Sequence, residues 1–130
     1  MLSRTWHGIV PIHMKDAFEK YLYETGVKDT TALGGNKGAY LKIVEQGEYA
    51  HFFLCTKWDS IESVVAYAGD NPTVAVTYPK DERYGLISDP IVLLQEVSDS
   101  NNPFVLDEQP KLECKVSEAS LIDEKSTYPL

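Results

Sequence analysis

The chain has 130 residues, of which 43% are hydrophobic, enough for one domain with an ordinary core. Its formal net charge of −8 and the lack of any Lys/Arg-rich stripe argue against nucleic acid as a partner, because a phosphate backbone is repelled by such a surface. No run approaches the roughly 20 apolar residues of a membrane helix, and Met1 to His7 lacks the apolar core of a signal peptide, so no membrane partner and a cytoplasmic location are expected.

The first predicted strand runs from Arg4 to Val10 and is closed by Pro11. Trp6, Gly8 and Val10 point to one side and Thr5, His7 and Ile9 to the other, so neither face is purely polar. Met14, Ala17, Phe18, Tyr21 and Leu22 then recur at three and four, which predicts a helix from Met14 to Thr25 with Gly26 as its C-terminal cap. Thr30 to Gly38 contains Gly34-Gly35-Asn36-Lys37-Gly38 and reads as a loop. It precedes a strand and lacks a Lys-Ser/Thr ending, so it is no phosphate cradle.

Two strands, Ala39 to Glu45 and Tyr49 to Trp58, follow as a hairpin around Gln46-Gly47-Glu48. In the second, Phe52, Leu54, Thr56 and Trp58 share one face, and His51, Phe53, Cys55 and Lys57 the other. Asp59 or Ser60 caps a second helix built on Ile61, Val64, Val65 and Ala68, with Glu62 placed for a capping box and Gly69 at its end. Asn71-Pro72 predicts a further short helix through Thr77, although Thr73-Val74-Ala75-Val76 is rich in strand-forming residues. A charged loop from Lys80 to Pro90 leads to the last strand, Ile91 to Val97.

The resulting βαββαβ order predicts an α+β, ferredoxin-like domain over residues 1–98, a four-stranded antiparallel sheet with two helices on one face. Residues 99–130 form a C-terminal extension after the linker Ser98 to Pro103, with an alternating stretch at 111–116 that suits an edge or swapped strand. Helices cover one face only, while large apolar side chains occupy both phases of the strands. Each such side chain contributes roughly 1.5 to 3 kcal/mol when buried, so a homodimer that pairs the open sheet faces is expected. Phe104, Val105 and Leu106 folding back over that face is the alternative cover.

Arg4-Thr5-Trp6-His7-Gly8, the helix ending Tyr23-Glu24-Thr25-Gly26-Val27, and Trp58-Asp59-Ser60 leading into helix two resemble the antibiotic biosynthesis monooxygenase-like family. The resemblance covers roughly residues 3 to 97 and implies a dimeric α+β barrel with a small-molecule cleft between sheet and helices. Within that family some members oxygenate polycyclic aromatics or quinols without a cofactor, and others degrade haem. Where the haem-degrading branch carries Asn, Trp and His, this chain has Thr5, Tyr67 and Thr77 or Tyr78, so the haem reading is disfavoured. The implied activity is a cofactor-independent monooxygenase acting on an aromatic or quinol-type substrate. The competing reading is a non-catalytic binding or structural dimer of the same fold.

On that resemblance His7 shares a strand face with Thr5 that looks into the cleft, and an imidazole is apt as a base. Tyr67, Tyr78 and Arg83 are expected to donate hydrogen bonds to an oxyanion, with Thr5, Trp6, Trp58 and Tyr84 contacting substrate. Each has a structural counterpart: a histidine bonded within the sheet, tryptophans plugging the core, loop tyrosines and a solvated charge run. His7, His13, His51, Cys55 and Cys114 show no paired ligand spacing, so no metal is expected, and the two cysteines suggest no disulfide framework.

Overall fold

The structure is a computed structural model that describes residues 1–106. The alternating stretch at 111–116 and Cys114 lie outside the described residues. The strands are β1 (Leu2–Pro11), β2 (Asn36–Gln46), β3 (Tyr49–Trp58), β4 (Ile87–Ser88) and β5 (Leu93–Glu96). The helices are α1 (Lys15–Leu22), α2 (Lys28–Thr31) and α3 (Ile61–Ala68). All pairings are antiparallel, in the order β2-β3-β1, with β4 and β5 both on the free side of β1. This is the ferredoxin-like α+β arrangement, its last strand split in two. Among the described residues no helix is long and apolar enough to cross a membrane.

The β2–β3 hairpin turns on Gly47, whose φ of 58° suits glycine. Helix α1 buries Phe18, Tyr21 and Leu22, the stripe its spacing dictates. Gly26 does not cap it: the chain widens into a π turn over Tyr23–Val27 and runs on into α2. Threonine hydroxyls bond the carbonyls of this stretch, Thr25 to Tyr21 O at 2.8 Å and Thr30 to Gly26 O at 2.7 Å. Gly26 is buried because a Cβ there would press within 3.4 Å of Leu54 on β3. Helix α3 starts at Ser60, whose Oγ accepts from Ser63 N at 3.3 Å, so Ser63 rather than Glu62 completes the cap. Gly69 ends it with φ 78°.

Two expectations are corrected. Residues 71–77 form a turn and an extended bridge, Val74 to Ile91, instead of a helix. Their β-branched side chains favour that, and Pro90 supplies the reason on the other side. Asp89 N still donates to His7 O at 2.9 Å, but Pro90, lacking an N–H, interrupts the last strand, so residues 90–92 leave the pairing with β1. There Ala75 N donates to Pro90 O at 2.9 Å and Val92 N to Thr73 O at 2.8 Å. The expected strand Ile91 to Val97 is therefore Leu93–Glu96, with Ile87–Ser88 pairing β1 before the interruption.

The core lies between the sheet and the helices: Trp6, Val10, Phe18, Leu22, Phe52 and Leu54 are all buried there. On the opposite sheet face residues 99–100 return across one end. Tyr40 Oη donates to Ser100 O at 2.7 Å, and Cys55 and Lys57 are buried beneath this crossing. Val105 and Leu106 remain exposed, at 64% and 91%, so they do not close the rest of that face.

Candidate functional site

A pocket opens between the helix-facing side of β1 and β3, the α1–α2 junction, and the segment 76–86. Trp6, Phe18, Leu22, Leu54 and Leu86 give it apolar walls, and Arg4, Thr56, Tyr67, Tyr78 and Asp81 bring polar groups to them. The centre of a water molecule can occupy about 30 Å³ of it, room for one or two waters. An aromatic ligand therefore needs the 76–86 segment to move outward.

The even-numbered residues of β1 face this pocket. Arg4 is 5% exposed and reaches past the sheet edge, its Nε donating to Pro72 O at 3.0 Å and its Nη2 to Val74 O at 2.7 Å. Its guanidinium carbon lies 5.6 Å from the centre of the Tyr67 ring. Trp58 also stacks on Tyr67, at 6.1 Å between centroids, its own N–H held by Thr56 at 2.8 Å. The Tyr67 ring thus packs against both a cation and an indole.

Tyr67 Oη lies 3.1 Å from Tyr78 Oη, which donates to Asp29 Oδ2 at 3.0 Å. Burial pushes both phenols above their ordinary value, Tyr78 most strongly, and the Asp29 carboxylate adds to the rise at Tyr78. Both hydroxyls are therefore neutral donors across the physiological range. Asp81 on the same wall accepts from Tyr78 N at 2.8 Å, and burial holds its carboxyl above the usual range. Burial also draws the Arg4 guanidinium down, a pull the two phenols oppose, and it stays charged.

Of the residues singled out from sequence, Tyr67, Tyr78 and Trp6 line the pocket, and Trp58 supports it from behind as a fully buried core residue. Tyr84 stacks on Tyr21 at 4.9 Å and packs edge-on to Phe18, outside the lining, and Arg83 is exposed on a 3-10 turn, Asp81–Tyr84, away from it. His7 and Thr5 are on the opposite face of the sheet, which corrects their expected place in the cleft. Both phases of β1 are apolar, and the phase containing Trp6 and Val10 is the one that meets the helices.

On that opposite face His7 joins a different network. Asp89 Oδ2 lies 2.6 Å from His7 Nδ1, and His7 Nε2 lies 2.9 Å from His51 Nδ1, a hydrogen-bonded chain of a carboxylate and two imidazoles. The rings are nearly parallel, 10° apart, and Phe53 stacks on His7 at 4.5 Å. Sequence reasoning missed Arg4, Asp29 and Asp81. Only Arg4 left a signal, a cation in the same strand phase as Trp6 and Val10.

No protein-family model matches the chain, and no curated protein matches it. Among solved structures the chain is similar to that of Rv0793 from Mycobacterium tuberculosis, with a TM-score of 0.45 and 15% identity over 76% of this chain and 97% of that one. A likeness at that level carries no argument about activity.

Proposed function

We propose that the pocket between sheet and helices takes a small aromatic or quinol-type substrate and oxygenates it with dioxygen and no bound cofactor, as the sequence resemblance to the antibiotic biosynthesis monooxygenase-like family implies. The observation that carries this reading is the pair of neutral phenols, Tyr67 and Tyr78, set hydroxyl to hydroxyl on the wall of an apolar pocket. Tyr78 donates to Asp29 and Tyr67 to Tyr78, so a substrate oxygen on which negative charge develops takes these protons by displacing Asp29 as the acceptor. Asp81, with its carboxyl raised toward neutral pH by burial, is the base that removes the substrate proton. The substrate supplies all four electrons: the carbon deprotonated by Asp81 loses both of its hydrogens and gains one oxygen atom of dioxygen as a carbonyl, and the other oxygen atom leaves with the two hydrogens as water. None of the lining residues is a histidine, so haem lacks an imidazole ligand there.

The open sheet face supports pairing with a second copy. Ile87 and Leu93 stand 63% exposed along it, beside the partly covered Ile9 and Phe53. The tightness of the pocket favours one alternative, a binding protein of the same fold without turnover.

Oxygen uptake with a panel of hydroquinones and anthrones separates the two. Uptake by the wild type that falls about a hundredfold in Asp81→Asn is the expected result. Binding without uptake across the panel establishes the alternative.

A further inference from the structure

We infer that the pocket's ligand carries a carboxylate that pairs with Arg4, an inference that rests on the reading of this pocket as the ligand site. The starting point is an uncompensated charge. Arg4 is as buried as the core around it, yet among the described residues the ion pairs are His7–Asp89 and Lys15–Glu45, and neither includes it. Its partners are two backbone carbonyls and the face of one ring. These orient the guanidinium without neutralising it, and a buried cation without a counter-ion is costly to keep.

The hydrogen-bond inventory points the same way. Of the five N–H groups of a guanidinium, Arg4 spends the one on Nε and one on Nη2. The end of the fork, formed by Nη1 and the second proton of Nη2, is left for a ligand, and its two parallel N–H groups match the two oxygens of a carboxylate. Arg4 is among the residues that line the pocket.

The surroundings select a carboxylate on an aromatic body. Trp6, Phe18, Leu22 and Leu54 offer apolar contact, and the neutral phenols of Tyr67 and Tyr78 stand beside the cation. Asp81 is the acidic side chain on the lining, and burial raises its carboxyl above the ordinary range. A carboxylate seated on Arg4 pushes it further in that direction. A merely structural Arg4, clamping residues 72 and 74 to β1, makes no distinction between charged and neutral ligands of one shape.

The test uses the whole chain at neutral pH, titrated with benzoate, its neutral isostere benzamide, and hydroquinone, and read through the indole fluorescence of Trp6 on the pocket wall. Benzoate is expected to bind about tenfold to a hundredfold more tightly than benzamide. Arg4→Met abolishes that ratio, and Arg4→Lys, which keeps the charge but loses the fork, reduces it. The wild-type ratio is decisive by itself where Arg4→Met does not fold. Equal affinity for benzoate and benzamide, or binding of hydroquinone alone, overturns the carboxylate while leaving the pocket as the ligand site. Failure of all three ligands to bind overturns both readings.

Discussion

The two faces of the sheet carry similar apolar content, and the molecule treats them differently. Toward the helices, Phe52, Val10 and Trp58 are fully buried, and Arg4 is enclosed without an acidic partner among the described residues. On the far face Asp89 meets His7 and His7 meets His51, buried Lys57 reaches the Asp99 carbonyl at 3.5 Å, and Ile87 and Leu93 stand in the open. The closed face has completed its packing and left a charge unsatisfied. The far face has left its packing incomplete. An unsatisfied buried charge calls for a ligand, and an uncovered apolar surface calls for a second protein surface.

Neighbouring residues of β3 give the strongest way to break that contrast. Phe52 is 0% exposed and faces the helices, whereas Phe53 faces out against His7. Phe52→Ala is expected to cost about 3–5 kcal/mol by equilibrium denaturation, whatever the protein concentration. Phe53→Ala costs less in a monomer, but its cost rises with protein concentration where a second copy covers the ring. Sedimentation at micromolar concentration showing a stable monomer for the wild type, with a concentration-independent cost at Phe53, removes the dimer.

A sharper probe adds a group instead of removing one. Gly8 lies on the helix-facing phase of β1, where a Cβ would come 2.5 Å from the Trp6 ring and 3.0 Å from Leu86. Both neighbours line the pocket, so Gly8→Ala is expected to cost about 1–3 kcal/mol and to shift the Trp6 emission as the indole is displaced. Unchanged emission with unchanged stability means that the wall yields freely, and then the narrowness of the pocket is no barrier to ligands.

Much of this frame was legible in the residues because the strands and helices carry strong periods. Strand β3 begins and ends where Tyr49 and Trp58 predict, and Gly69 stops α3 as expected. The orientation of β1 was not legible, since Trp6, Val10 and Ile9 put apolar groups on both phases and only packing against Phe18 and Leu22 decides between them. That single ambiguity moved His7 out of the cleft and concealed Arg4 within it. The run past Gly26 was hidden for a related reason: glycine signals a helix end, but here it permits close approach to Leu54. Asp29 and Asp81 reach the site through Tyr78, a contact made by tertiary folding that no spacing encodes.

The smallest expected effect concerns Asp81, and its sign separates burial from bonding. Burial raises its carboxyl above the ordinary value of 3.8, and the bond from Tyr78 N opposes this only in part. The folded chain therefore holds that proton more tightly than the unfolded chain does. Stability contributed by the group is present below the ordinary carboxyl range and declines as pH rises through the folded-state titration. Asn carries no charge at any pH and keeps an oxygen to accept from Tyr78 N. Asp81→Asn should thus be more stable than the wild type at neutral pH, by up to about 0.5 kcal/mol once its partial exposure is allowed for. The gap should close as pH falls toward 3.8 in paired denaturation curves. A variant less stable than the wild type at neutral pH means that the charged carboxylate is held by its hydrogen bond more than it is penalised by burial. Asp81 is then a clamp on Tyr78, and the base must be sought elsewhere on the pocket wall.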